Sequence, residues 1–151
     1  MHSFKDSKNR VWNISITVGD IKRVKSLVGL NLLDTDSVVE GTLKRGDFVT
    51  LVDVIYVLIK QQTDAAGVSD EQFGESLVGD SLNEAIEAFW DAYTDFFPNP
   101  RQRGILKTSV DQVKVAQNKM FDRIEQLSEK RIDQALQNFL KTYTVEVESS
   151  G

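Results

Sequence analysis

Apolar positions in the last third of the chain, Leu106, Val110, Val113, Met120, Ile124 and Leu127, recur at alternating spacings of four and three, with Gln117 in the one gap. That alternation is the seam of a helix packed lengthwise against another helix. No proline follows Pro100 and no glycine falls between Gly104 and Gly151, so the pattern predicts one helix from Pro100 to about Tyr143. Roughly forty residues at 1.5 Å each span ~60 Å, whereas a compact globule of this chain length is only ~38 Å across. A helix of that length must kink, project or meet a partner. Beyond Leu127 the seam resumes at Ile132, Leu136, Phe139 and Tyr143. The five-residue step acts as a stutter, locally altering supercoil or inviting a bend around Ser128 to Lys130. Thr144 to Gly151 is a short polar tail, expected to fray.

Upstream, the pattern changes period. Trp12, Ile14 and Ile16 alternate with polar residues and follow Phe4-Lys-Asp, which predicts a β-hairpin with one face on a core. Such a hairpin is marginal alone and needs a helix to cover it. Val18, Ile21, Val24 and Val28 then recur at helical spacing, with Thr17 as cap and Gly29 as stop. Leu30, Leu32 and Leu33 read as a buried connection, and Asp34 to Gly46 as a short helix or an irregular loop. From Asp47, the positions Phe48, Leu51, Val52, Ile55, Leu58 and Ile59 predict a helix. The β-branched content would also suit a strand, but Asp53 falls opposite Phe48 and Ile55.

Gln62 to Val68 reads as a loop. Ser69-Asp-Glu-Gln72 has the form of a capping box that opens a short helix carrying Phe73 and Leu77, ended by Gly79. Ser81-Leu-Asn-Glu84 has the same form and opens a helix from Leu82 to Phe97, with Leu82, Ile86, Phe89, Tyr93 and Phe96 on one stripe. Asp80, Glu84, Glu87, Asp91 and Asp95 form an acidic ridge on it. Pro98-Asn-Pro ends it, with Asn99 as cap and Pro100 at the first position of the long helix. The fold class is therefore mainly α with a small N-terminal β-hairpin. Residues 1–98 form the hairpin and helical domain and 99–151 the long helix and tail, as a single structural unit.

Charge divides the chain unevenly. The net of −5 combines −7 over residues 1–100 with +4 over 101–143 and two glutamates in the tail. A basic helix on an acidic body can dock on that body, face an acidic partner, or present a solvated face. Nucleic acid is not the expected partner. Arg101, Arg103, Lys107, Lys114, Lys119 and Arg123 spread around the helix, and the acidic body repels phosphate. The longest apolar-rich stretch, Phe48 to Ile59, is too short to cross a bilayer. MHSFKDSKNR has no apolar leader region and reads as mature protein in the cytoplasm.

The available chemistry is sparse. There is no cysteine, and the one histidine, His2, sits at a chain end, where mobility is usual. Triads, HExxH zinc sites and thiolate chemistry are thus ruled out, and neither phosphate-binding glycine motif is present. The expectation is a protein without a catalytic, cofactor or metal site.

The segments Phe4-x-Asp6, Arg10-x-Trp12 and Val18-Gly-Asp-Ile-Lys-Arg-Val-Lys-Ser-Leu-Val-Gly-Leu-Asn-Leu-Leu-Asp34 come first. Leu51-Val-Asp-Val-Ile-Tyr-Val-Leu58, Gly67-Val-Ser-Asp-Glu-Gln-Phe-Gly74 and Asp95-Phe-Phe-Pro98 follow. In that order they resemble the small tail assembly chaperones of long-tailed phages and prophages, over about the first hundred residues. The resemblance implies a non-enzymatic role in virion morphogenesis in the host cytoplasm. It implies a tape measure protein or other helical tail protein as client, and release before the tail is complete. Two surfaces are candidates for the partner. One is the seam Val113, Met120, Ile124 and Leu127, in which methionine adapts to varied partners. The other is the aromatic group Trp90, Tyr93 and Phe97, for which core is the ordinary reading. Gln117 is either a register device or the edge of an imperfect stripe. A homo-oligomer through the long helices and a component retained in the virion are the alternatives.

Overall fold

In the computed structural model the structure describes residues 2–150, with side chains as far as Thr142. Strands β1 (His2–Lys5) and β2 (Val11–Ile14) pair antiparallel, with Phe4 opposite Trp12. Helices α1 (Val18–Val28) and α2 (Thr35–Val38) follow, then a π-helical turn (Val39–Lys44). Helices α3 (Phe48–Leu58), α4 (Lys60–Ala66), α5 (Asp70–Glu75) and α6 (Asp80–Phe96) lead to α7 (Pro100–Ser150). The mainly α fold with an N-terminal hairpin is as predicted. Contacts divide the chain into two compact units, residues 1–111 and 112–151. Leu106 and Val110, on the first turns of α7, are buried with the rest of the first unit.

The hairpin turn is organised by one carboxylate. Asp6 Oδ1 accepts from the backbone N–H groups of Lys8 (2.9 Å) and Arg10 (3.0 Å), and Oδ2 from Arg10 Nε (2.8 Å) and Trp12 Nε1 (2.9 Å). Asn9 takes the left-handed conformation that closes this turn, at φ 63°. Burial pushes the Asp6 carboxyl up, but the hydrogen bonds from Arg10, Trp12 and the two backbone groups outweigh it and hold it below the usual carboxylate range. Outside the hairpin, the Gln62 amide donates to Asn13 O (2.8 Å) and accepts from Asn13 N (2.9 Å), doing the work of a neighbouring strand on β2. Phe4, Trp12 and Tyr56 converge on the Phe73 ring, with centroids 5.9–6.3 Å apart.

Several local signals match the sequence. Thr17 caps α1 as predicted, in a reciprocal box with Asp20, and Gly29 closes it at φ 83°. Ser69 with Gln72 forms the predicted capping box of α5, and Asp47, where no cap is predicted, caps α3. Others differ. Gln62 to Val68 is not a loop. Most of it is α4, which carries the Lys60–Asp64 ion pair one turn apart (2.5 Å) and stops at Gly67, φ 68°. Ser81 does not cap α6. Its hydroxyl turns back to accept from Val78 N (2.9 Å), and the helix starts at Asp80 behind Gly79. Of the Leu30–Leu33 connection only Leu32 is buried, under the Tyr93 hydroxyl, which donates to Leu32 O (2.6 Å). His2 is held on β1, with Nε2 2.9 Å from Asp95 Oδ2 on α6.

Of the predicted α6 stripe, Phe89 and Tyr93 are fully buried while Leu82, Ile86 and Phe96 are half-buried, and the buried side widens to Ala85, Ala88, Trp90 and Ala92. β1 packs against α6, and small side chains let a strand backbone approach a helix closely. The turn into α7 is tied by Arg103, whose guanidinium donates to Phe97 O (2.8 Å) and Pro98 O (3.0 Å), while Asn99 accepts from Arg101 N (2.9 Å).

Candidate interaction surface

Exposure separates the two predicted surfaces. Trp90, Tyr93 and Phe97 lie inside the first unit, Trp90 at 1% exposure and Tyr93 at none. Their rings stack with Phe89 in one chain of edge and face contacts, 5.3–5.7 Å between centroids. Burial, with a smaller contribution from Asp34, raises the Tyr93 hydroxyl far above the ordinary phenol range, so it stays neutral. This group is core. It is not a surface offered to a partner, because packing inside the first unit takes the wide aromatic stripe of α6. Trp90 Nε1 is buried with no hydrogen-bond partner.

The seam of the second unit is arranged differently. Val113 and Gln117 are half-buried, and every residue from Asn118 to Thr142 is exposed. Met120, Ile124 and Leu127 are 50–52% exposed and Phe121 is 58% exposed. Half of a large apolar side chain left in water forgoes about 1 kcal/mol of burial, so the row has stabilisation in reserve. Downstream, Ile132, Leu136, Phe139 and Leu140 are also exposed, and α7 runs unbroken through Ser128 to Lys130 despite the phase slip. Tyr143 and the tail expected to fray lie outside the fully described residues.

Sequence reasoning missed Phe121 and Leu140. Phe121 lies one residue after Met120, outside the four-three count, although on a helix it borders the same face, four residues after Gln117 and three before Ile124. A search for every large apolar residue within a turn of the seam would have found it.

In the first unit an open polar groove lies between β1 and α6, lined by His2, Ser3, Asn83, Glu84, Glu87, Ala88 and Asp91, about 440 Å³. It contains part of the acidic ridge. Among the described residues no group of three or more His, Asp or Glu side chains has the geometry to hold a metal ion. No described helix is long and apolar enough to cross a membrane. No protein-family model, curated protein or solved structure matches the chain.

Proposed function

We propose that this chain is a non-enzymatic morphogenesis factor, a tail assembly chaperone of a long-tailed phage or prophage. It holds a helical tail protein, such as the tape measure, in the host cytoplasm before the tail is complete. The observation that carries the reading is the row Val113, Met120, Phe121, Ile124 and Leu127 on α7, apolar, helically spaced and half or more in water beyond Val113. An amphipathic helix laid on such a row buries both apolar faces. The resemblance of the first hundred residues supplies the biological setting.

The action is binding without chemistry. A chaperone of this kind covers apolar helix of its client and stays soluble through charge beside its own row. Lys114, Lys119, Arg123, Asp122, Glu125 and Glu129 surround it here. The test is recovery of the tagged chain from cells producing the phage, beside the Met120→Asp/Ile124→Asp chain. The expected result is a large helical tail protein with the former, none with the latter, and neither form in finished particles. Capture of the same protein by the double variant would remove the seam from the account. Presence in finished particles would make the chain a structural component.

A further inference from the structure

We infer that the stretch of α7 from Val113 to Lys130 takes an amphipathic helix of another protein whose flanks are acidic. This deepens the proposed function and rests on its reading of the seam as an interface. In a lengthwise helix pair, the central positions a and d are bordered by e and g, whose charges choose the partner. With Val113, Met120 and Leu127 at d, Gln117 and Ile124 fall at a. The bordering e positions are then Lys114, Phe121 and Ser128, and the g positions Ala116, Arg123 and Lys130. Every charge at those positions is positive. The acids of the stretch, Asp122, Glu125 and Glu129, fall at b and f, away from a partner's edge.

The pattern discriminates among occupants. A second copy, parallel or antiparallel, presents e and g positions with no acid in this stretch, so the cations of the first copy find no counter-charge there. The exposed acidic face of α6 is also a poor occupant. Asp80, Glu84, Asp91 and Asp95 are exposed, but the apolar residues of that helix, Phe89, Trp90 and Tyr93, are spent inside the first unit. What fits is a helix with its own apolar a and d row, bordered by Asp or Glu. Gln117, at one a position, favours a polar residue opposite it and so fixes register.

The experiment titrates the full chain with two synthetic helical peptides of about four heptads, both with Leu and Ile at a and d. One carries Glu at every e and g position and the other Lys. The expected result is about tenfold tighter binding of the Glu peptide at low salt, from several exposed pairs of modest individual strength. That advantage should shrink toward about 0.5 M salt, and the Arg123→Glu/Lys130→Glu chain should prefer the Lys peptide. Equal binding of both peptides would overturn the charge inference while leaving the seam an interface. Binding of neither, with the Met120→Asp/Ile124→Asp chain still capturing its client, would overturn the seam reading itself. A concentration-dependent dimer of the unliganded chain, abolished by Met120→Asp/Ile124→Asp, would make the occupant a second copy and overturn the inference.

Discussion

The two parts of α7 carry the same apolar period and spend it differently. Leu106 and Val110 are buried in the first unit, whereas Met120, Ile124 and Leu127, continuing the same four-three count, are half in water. Period alone therefore states which face of a helix is apolar, and whether that face is filled depends on what else the chain folds against it. The first unit is closed around interlocking aromatic rings and a hub carboxylate. The second has an apolar row left half in water.

The comparison can be broken most forcefully from its closed side. Trp12 is 3% exposed, packs on Phe73 and donates to Asp6. Trp12→Ala should cost about 3–5 kcal/mol in denaturant unfolding. Removal of residues 130–151 should cost under about 1 kcal/mol, since every described residue there is exposed. The reverse ranking would make the end of α7 part of the core.

Asp6→Asn comes next. Losing charge-assisted hydrogen bonds from Arg10 and Trp12 should cost about 1.5–3 kcal/mol at neutral pH. The Asp6 carboxyl is held below its ordinary value in the folded state, so the unfolded chain binds the proton more readily. Its contribution is thus present above the unfolded value near ~3.9 and disappears as pH falls through the folded value. Asp34 and Asp47, lowered by hydrogen bonds from Ser37 and Thr50, act in the same direction. Unfolding curves at neutral and acid pH should show the gap between native chain and Asp6→Asn closing in acid. A gap independent of pH would mean that shape, not charge, is what Asp6 provides.

A finer contrast lies within the core. Trp12 Nε1 has a partner and Trp90 Nε1 has none. Trp12→Phe should therefore cost about 1 kcal/mol more than Trp90→Phe, because only the former strips a donor from a buried carboxylate. The smallest expected change is in the open row. Met120→Asp/Ile124→Asp should move stability by no more than about 0.5 kcal/mol while removing partner binding.

How much of this was legible in the sequence depended on range. Most signals acting within a few residues are legible directly: the Thr17 cap, the Ser69/Gln72 box, the Gly29 stop, and Asn99 with Pro100 at the start of α7, with the Ser81/Glu84 box as the exception. Signals needing a partner were not. Gln62 looked like loop because its neighbours are polar, yet its side chain completes the β2 edge across 49 residues of sequence. On α6 the stripe holds at Phe89 and Tyr93, while the burial of Ala85, Ala88 and Ala92 beside it, on a helix packed by β1, carries no large-residue signal. Trp90, Tyr93 and Phe97 were equally apolar as core or as surface, and only the closeness of Phe89 and Leu32 decides. The seam was visible as a pattern, and its openness was suggested only by helix length.

Amide hydrogen exchange along α7 in the purified chain tests the contrast between filled and open seam most directly. The account predicts strong protection around Leu106 and Val110. It predicts much faster exchange from Asn118 onward, independent of chain concentration and slowed when an acidic-flanked helix is added. Equal protection on both sides of residue 111 in the unliganded chain, or protection that rises with its own concentration, would contradict it.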